Sequence, residues 1–369
     1  MTDQNAPVRL GIIGLGLISQ GVHLPNILGS LRDNFHVVHV CDLSAALAQS
    51  IGADLRARHT TDTTAILADP EVDAVLICTP GAHATLARQA LEAGKHVFAE
   101  KPYSYDPVFA EKDAAFAQAK GLVLQVGYMK MYEPAIAEAR RRMKAIGPLR
   151  LVRMTVLHPS DERQTDDLPI RRFPDVPQET IEAARTTNQG EVRAAISELD
   201  GADPVLFRNV LHGSVCHQTA VLRALFPDQP ATAISAHQDR PGSLRDEPPK
   251  MQILGRIENG PDWSLSWNWL THFPEYQEWV EIYGDRGSLR IDLPPPYKKA
   301  QLASLTATTI GADGATLVER WQTQGPNAFA RELAAFFASI RTGSPVLSDA
   351  GGASRDAALL RDLAAMLGS

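Results

Sequence analysis

The first 125 residues alternate short apolar runs with longer segments in which apolar residues recur at helical spacing. Segments 84–94 and 107–121 are examples of the longer kind, and each ends in glycine. Near-continuous apolar strands that alternate with helices predict a parallel sheet covered by helices on both faces. We therefore expect a doubly wound α/β domain over residues 1–126. The apolar runs are VRLGIIG (8–14), FHVVHVCD (35–42), VDAVLICTP (72–80), KHVFAEKP (95–102) and LVLQVGY (122–128).

The pattern changes after Pro134, where a helical stretch leads to the strand-like run LRLVRMTVLH (149–158). A polar, proline-rich insertion at about 159–204 follows, and it contains a helical piece at 178–199. Strand-like runs separated by hairpin turns then fill residues 231–322, and two amphipathic helices end the chain. Residues 127–369 are thus expected to form an α+β domain with a mainly antiparallel sheet.

Length and charge limit the classes of function. A chain of 369 residues exceeds what one hydrophobic core usually supports, which favours two domains. The net charge of −7 argues against nucleic-acid and anionic-membrane partners, because no excess of basic side chains is left to neutralise phosphates. Three scattered cysteines do not make a disulfide framework, and the N-terminus lacks a signal-peptide pattern. We expect a cytoplasmic protein.

A glycine-rich stretch, GIIGLGLIS (11–19), follows the first predicted strand and opens the first helix. Glycines at such a turn let the backbone approach a pyrophosphate, which the N–H groups of the helix N-terminus then bind. An acid at the end of the second strand is placed to bind a ribose diol, and it would repel a 2′-phosphate, which favours NAD over NADP. A packing turn that binds no phosphate is the alternative. The cofactor-binding candidates here are Gly14, Gly16, Leu17, Ile18 and Asp42.

The stretch LHGSVCHQTAVLR (211–223) places His212, Cys216 and His217 within six positions. A metal site, a catalytic histidine and a buried core segment are the three interpretations. In an α-helix His212 and Cys216 share a face, but His217 is turned about 100° from Cys216. We therefore expect no metal site. The residues alone favour a core histidine.

Lys101 ends a predicted strand, at the carboxyl edge where open α/β sheets bind their ligands. A lysine at that edge could donate or accept a proton in a reaction. A solvated lysine at a strand end fits the same pattern equally well.

Several segments together resemble, from end to end, the glucose–fructose oxidoreductase/inositol dehydrogenase (Gfo/Idh/MocA) family. The resemblance implies a Rossmann domain followed by a domain whose large open sheet carries the substrate pocket on one face and oligomer contacts on the other. It also implies NAD(P)-dependent chemistry on a hydroxyl of a small-molecule carbohydrate, and a homodimer or homotetramer formed through the C-terminal sheet. The segments are GIIGLGLIS, DPEVDAVLICTPGAHATLARQALEAGKHVFAEKP, VGYMKMYEPA, EIYGDRGSLRID and FARELAAFFASIRTGSPV.

The resemblance also assigns roles near the cofactor. Lys101 matches the catalytic lysine of the family's Glu-Lys-Pro motif, to which Glu100 also belongs. Thr79 and Pro80 match the segment that passes the nicotinamide. His83 stands one residue from the position of a family histidine.

On the same resemblance His217 matches a catalytic histidine, but Gly213 stands where the family pattern has an aspartate. His212 or Asn209 could approach the space of that missing carboxylate. Lys130 could replace the charge of an arginine that many members carry at the next position. Two further substrate-contact candidates are Tyr128 and Arg163.

The function expected from these residues is NAD-dependent oxidation or reduction of a hydroxyl of a sugar, sugar derivative or cyclitol. An alternative is an NAD-dependent oxidoreductive glycosidase, in which transient oxidation permits elimination, water addition and re-reduction. A non-catalytic sensor of NAD or sugar is a third possibility, since one fold can serve several functions.

Overall fold

The computed structural model describes residues 6–239, 248–298 and 300–368. The chain forms two compact units that are each discontinuous in sequence. The first unit comprises Met1–Met129, Leu168–Ala195 and Ala328–Ala357, and the second comprises Lys130–Asp167, Ile196–Asn327 and Ala358–Ser369. This division differs from the single boundary expected after residue 126, because part of the insertion and the first C-terminal amphipathic helix group with the N-terminal residues.

The regular elements alternate along the N-terminal part and become mainly strands later. The strands are β1 (Val8–Ile13), β2 (Phe35–Cys41), β3 (Arg58–Thr60), β4 (Ala74–Ile77), β5 (His96–Glu100), β6 (Leu124–Gly127), β7 (Leu149–His158), β8 (Ala231–Gln238), β9 (Lys250–Ile257), β10 (Asp262–Trp269), β11 (Gln277–Gly284), β12 (Gly287–Leu293), β13 (Ser304–Ile310) and β14 (Thr316–Gln322). The α-helices are α1 (Leu24–Leu28), α2 (Ala45–Leu55), α3 (Thr63–Leu67), α4 (Ala84–Glu92), α5 (Pro107–Lys120), α6 (Pro134–Arg142), α7 (Asp161–Thr165), α8 (Gln178–Ala195), α9 (Cys216–Leu225), α10 (Ala328–Thr342) and α11 (Ala350–Gly368). The described residues also contain two π-helical segments, Ser19–His23 and Leu206–Val215, and two 3-10 turns, Met129–Tyr132 and Met143–Ile146.

The first unit contains a parallel sheet in the order β3-β2-β1-β4-β5-β6. The order reverses beside β1, so the carboxyl ends of β1 and β4 flank a crevice of the kind that binds ligands in open α/β sheets. The five apolar runs became the five buried strands, which confirms the doubly wound prediction. Strand β3 was not predicted, because its three residues, RHT, are polar and partly exposed at the edge of the sheet.

Local sequence signals set the helix ends of this unit. Helix α2 begins after Ser44, whose side chain accepts a hydrogen bond from the N–H of Leu47. Helix α5 begins after Asp106 in the same way and ends at Gly121, which has the left-handed conformation with φ of 67°. Helix α10 packs Leu333 and Phe336 into the hydrophobic core formed with β1 and β2.

The second unit contains a sheet of eight strands in the order β14-β13-β12-β11-β7-β10-β9-β8. Only the β7–β10 pair is parallel, and every other neighbouring pair is antiparallel. Strand β9 alternates strictly between exposed and buried residues, as expected of a sheet with one covered face. The mainly antiparallel C-terminal sheet is thus confirmed.

None of the helices in the described ranges combines the length and the apolar character that a membrane crossing requires.

Candidate active site

The glycine turn between β1 and the first helical segment has the geometry that a dinucleotide requires. Gly14 has a φ of +88°, and a Cβ at this position would lie 2.7 Å from the backbone carbon of Cys78. Gly16 is exposed, and a Cβ there would meet no atom within 4 Å. Gly14 is therefore required by the fold, whereas Gly16 leaves open space over the helix N-terminus.

Ser19 occupies the third position of the glycine pattern. It is fully buried, and its Oγ donates a 2.5 Å hydrogen bond to the carbonyl oxygen of Gly14. The hydroxyl thus satisfies a carbonyl of the turn, which accounts for a serine where the dinucleotide-binding fingerprint has glycine or alanine.

Asp42 joins the end of β2 to the glycine turn. Its Oδ2 accepts a 2.8 Å hydrogen bond from the N–H of Leu15, and its Oδ1 accepts a 2.9 Å bond from the N–H of Ser44. A carboxylate can accept about four hydrogen bonds, so two acceptor sites remain for the hydroxyls of a ribose. The N–H groups of Leu17 and Ile18 lie at the opening of the helix that follows Gly16. The glycine turn and Asp42 therefore fit the pyrophosphate and ribose of a nicotinamide dinucleotide.

His83 links the two loops that follow β4 and β5. Its ring is almost fully buried, with Nδ1 at 2.8 Å from the carbonyl oxygen of Pro102 and Nε2 at 2.8 Å from that of Thr79. Burial lowers the pKa of His83 below its ordinary value, despite the two carbonyl contacts. The histidine therefore fixes the backbone of Thr79 and of the Glu-Lys-Pro segment, while Pro80 is exposed beside it.

Lys101 stands at the carboxyl end of β5, half-buried, as its place in the sequence predicted. Its backbone N–H donates a 3.2 Å hydrogen bond to Oε2 of the neighbouring Glu100. The side chain of Glu100 is buried.

Glu100, the neighbour of Lys101 in the chain, belongs to a buried cluster with His23 and Glu332 that was not predicted from the sequence. His23 Nε2 is 2.7 Å from Glu100 Oε1, and the candidate ligand atoms of the three side chains all lie within 4.8 Å of one another. Burial acts to raise the pKa of Glu100, but the hydrogen bond and charge of His23 and the charge of Lys101 bring it below its usual value. Burial and the charge of Glu100 raise the pKa of Glu332 well above its usual range.

Within the described ranges this cluster is the group of His, Cys, Asp and Glu side chains close enough to hold a metal ion. It does not include His212, Cys216 or His217. His23 lies in the first helical segment and Glu332 in α10, more than three hundred residues later. The sequence does not indicate that they are close, because they meet only when both pack on the parallel sheet.

The second unit positions His217 between two side chains that are fixed to the sheet. Trp267 donates a 2.9 Å hydrogen bond from Nε1 to Oγ of Ser214, and Gln218 donates a 2.8 Å bond from Nε2 to Glu278 Oε1. His217 itself is partly exposed at the start of α9. These bonds fix the helix on either side of it.

The helix before α9 is a π-helix over Leu206–Val215, so the α-helical geometry assumed for His212 does not apply. His212 is buried with its ring edge-on to Phe207 at 4.6 Å, and Cys216 Sγ donates a 3.0 Å hydrogen bond to the His212 carbonyl. Asn209 is exposed and accepts a bond from Arg208. We found no sequence signal for the π-helix.

A Cβ at Gly213 would have Arg208 O, at 3.6 Å, as its near neighbour. The backbone therefore has room at this position for the aspartate that the resemblance led us to expect.

Lys130 is buried and forms an ion pair with Glu278, whose carboxylate also accepts a 2.6 Å hydrogen bond from Tyr276. The Lys130 ammonium is thus paired with a carboxylate of the second unit. The other two substrate candidates differ in exposure: Tyr128 is buried, and Arg163 is exposed in the short helix α7.

Two aromatic rings at one end of the large sheet form a stacked pair. The ring of His158 lies 5.0 Å from that of Trp269 with an angle of 18° between them, and Trp269 remains partly exposed. Trp267 is buried nearby. A flat, partly exposed aromatic surface suits the apolar face of a sugar ring.

Part of the sequence matches known oxidoreductases. Residues 8–128 match the family model described as the oxidoreductase family with NAD-binding Rossmann fold, GFO_IDH_MocA. The chain is 34% identical over 142 residues to scyllo-inositol 2-dehydrogenase (NAD+) of Bacillus subtilis, covering 37% of this chain and 40% of that protein. It is 35% identical over 135 residues to UDP-N-acetylglucosamine 3-dehydrogenase of Acidithiobacillus ferrooxidans, covering 36% of this chain and 41% of that protein. These alignments span less than half of each relative.

Solved structures match over nearly the whole chain. The UDP-N-acetylglucosamine 3-dehydrogenase of A. ferrooxidans aligns with a TM-score of 0.70 at 21% identity, covering 98% of both chains. A 3-ketoreductase from Actinomadura kijaniata in complex with NADP aligns with a TM-score of 0.69 at 20% identity, covering 96% of both chains. The two-part fold is therefore that of these enzymes. Residues 8–128 are thus similar to the NAD-binding Rossmann domain of the Gfo/Idh/MocA family of oxidoreductases.

Proposed function

We propose that the protein is an NAD-dependent oxidoreductase that transfers a hydride between a carbinol carbon of a sugar, sugar derivative or cyclitol and the cofactor. The observation that carries the proposal is the arrangement along one edge of the parallel sheet. There Lys101 directly follows β5, and the Gly14 turn and Asp42 directly follow β1 and β2. A proton-transfer group thus stands at the edge that fits the dinucleotide. Relatives named as inositol and UDP-N-acetylglucosamine dehydrogenases support the substrate class.

NAD, when bound, supplies the hydride acceptor at nicotinamide C4. The chain supplies binding and proton transfer. Asp42 binds the ribose, the N–H groups of Leu17 and Ile18 bind the pyrophosphate, and Lys101 takes the proton of the substrate hydroxyl at its Nζ. His83 holds the Thr79 and Pro102 backbones that border this edge.

His217 is proposed as a second acid–base group, since the bonds of Ser214 and Gln218 fix its position in the second unit. The stacked pair of His158 and Trp269 supports a carbohydrate ligand, because aromatic rings pack well against the C–H groups of a sugar.

NAD is proposed over NADP because the Asp42 carboxylate is held at the end of β2 by two backbone N–H groups. A fixed negative charge at the ribose favours a diol and disfavours a phosphate on the same ribose.

A panel assay tests the function. The purified protein is mixed with NAD and separately with myo-inositol, scyllo-inositol, glucose, sugar acids and UDP-N-acetylglucosamine, and NADH absorbance is followed. We expect NADH formation with at least one of these compounds. Aglycone release from a chromogenic glycoside without net NADH would instead favour the oxidoreductive glycosidase. NAD binding with neither activity, unchanged by Lys101→Ala, would favour a sensor.

Assembly and location are proposals of the same kind. A homodimer or homotetramer through the large sheet is supported by exposed apolar side chains on its strands, including Ile234, Leu254 and Val318. Light scattering that reports a monomer at micromolar concentration would contradict it. A cytoplasmic location is supported by the buried thiols of Cys41, Cys78 and Cys216.

A further inference from the structure

Part of the insertion is fastened to the first unit beside the cofactor edge. The side-chain amide of Gln20, in the helical segment after the glycine turn, forms two hydrogen bonds with the Arg171 backbone: its Nε2 donates to the Arg171 carbonyl oxygen at 3.0 Å, and its Oε1 accepts from the Arg171 N–H at 2.9 Å. The Arg171 guanidinium donates to Ser50 at 2.8 Å and pairs with Asp54 at 2.5 Å, both on helix α2. The segment around Arg171 is thus bound both to the helix that opens at the glycine turn and to α2.

Four residues later, Asp175 caps the N-terminus of α2. Its Oδ2 accepts a 2.8 Å hydrogen bond from the N–H of Ala46, and its Oδ1 accepts a 2.5 Å bond from the hydroxyl of Ser44. These two hydrogen bonds lower the pKa of Asp175 below its ordinary value, so the carboxylate is ionised at neutral pH. An anion at this place is favoured by the helix dipole and by N–H groups that have no partner within the helix.

Ser44 connects Asp175 to the ribose-binding carboxylate. The Ser44 N–H donates to Asp42 Oδ1 at 2.9 Å, while the Ser44 hydroxyl donates to Asp175. Two carboxylates therefore share one residue of the β2–α2 turn.

NADP carries a phosphate on the ribose oxygen that an acid at the end of β2 binds in NAD enzymes. The phosphate adds nearly two negative charges and needs hydrogen-bond donors in the same turn. The donors that this turn offers are the Ser44 hydroxyl and the first N–H groups of α2. Asp175 already accepts hydrogen bonds from both kinds of donor, the Ser44 hydroxyl and the Ala46 N–H.

We propose that Asp175 is a specificity residue that excludes NADP by occupying, as an internal anion, the place where the 2′-phosphate would bind. This inference rests on the proposed NAD-dependent function and extends it. Asp42 binds the diol, and Asp175 withholds the donors that a phosphate would need and adds a second repelling charge. Cofactor choice therefore depends on the insertion as well as on the Rossmann motif.

The test is a calorimetric titration of NAD and of NADP into the full chain and into three variants. Asp175→Ala frees the donors, Asp175→Asn removes the charge but keeps an oxygen acceptor, and Asp54→Asn is the matched control. Asp54 is an exposed acid on the same helix that contacts the same segment through Arg171. We expect Asp175→Ala to lower the ratio of the NADP Kd to the NAD Kd about tenfold, Asp175→Asn to lower it less, and Asp54→Asn to leave it unchanged.

A ratio unchanged in Asp175→Ala would overturn the inference, and equal weakening of both cofactors would reduce Asp175 to a helix cap. Wild-type protein that binds NADP as tightly as NAD would overturn it as well, while leaving the oxidoreductase proposal intact. Failure of the wild type and of Asp175→Ala to bind either dinucleotide would instead contradict both proposals.

Discussion

Lys130 offers a sharp test of whether a candidate substrate residue is structural. Lys130 and Glu278 are 5% and 3% exposed, so Lys130→Met leaves a carboxylate buried without its counter-charge. Removing one partner of a buried pair costs about 3–5 kcal/mol. Tyr276 and Gln218 still donate hydrogen bonds to Glu278 at 2.6 Å and 2.8 Å, which places the expected loss near the lower end, at about 3 kcal/mol.

The double variant Lys130→Met/Glu278→Gln removes both charges and keeps an amide oxygen for Tyr276. We expect it to cost about 1 kcal/mol, since one neutral hydrogen-bonding group replaces the carboxylate. The double variant should therefore be about 2 kcal/mol more stable than Lys130→Met alone.

Urea unfolding followed by tryptophan fluorescence measures these losses in the right part of the chain. All five tryptophans lie in the second unit: Trp263, Trp267, Trp269, Trp279 and Trp321. Arg256→Met, which breaks the exposed pair of Arg256 with Asp262, is the control and should leave the transition unchanged.

If Lys130→Met loses no more unfolding free energy than the Arg256→Met control, the reasoning is refuted. A double variant that is less stable than Lys130→Met would refute it as well. An unchanged substrate KM in the double variant would indicate that Lys130 stabilises the fold and does not bind substrate.

Three further outcomes are expected. Gly14→Ala should destabilise the protein by about 1–3 kcal/mol in thermal unfolding, because its Cβ would meet the Cys78 backbone at positive φ. Gly16→Ala should leave the stability unchanged but weaken NAD binding in a titration. Equal stability of the two variants would contradict the geometry of the turn. The stability of Glu332→Gln relative to wild type should rise with pH above about 4.3, by up to about 1.4 kcal/mol per pH unit until the raised pKa of Glu332 is reached. In this pH range Glu332 keeps its carboxyl proton in the folded wild type and loses it on unfolding. Parallel pH profiles of the unfolding free energy of the two proteins would contradict this prediction. Lys101→Met should lower kcat about 10²–10⁴-fold with little change in NAD Kd, and an unchanged kcat would remove Lys101 from the reaction.

The sequence was sufficient for the features that depend on local patterns. Apolar runs gave five of the six Rossmann strands, and the glycine turn with Asp42 was recognisable from spacing alone. Strand β3 was missed because an edge strand of three polar residues carries no apolar signal.

The features that depend on tertiary structure were not predictable. Asp175 caps a helix more than a hundred residues earlier in the chain, and Glu332 meets Glu100 only because α10 packs on the parallel sheet. The π-helix before His217 also lacked a signal, so the relation of His212 to its neighbours could not be derived from α-helical spacing.

The central claim is direct hydride transfer from a carbohydrate carbinol to NAD. Its most direct test uses the best substrate of the panel, deuterated at its carbinol carbons, with mass spectrometry of the nicotinamide cofactor after one turnover. We predict NADH that carries one deuterium, formed at a rate that falls in Lys101→Met. Cofactor that stays oxidised and unlabelled with every compound of the panel, despite bound NAD, would contradict it.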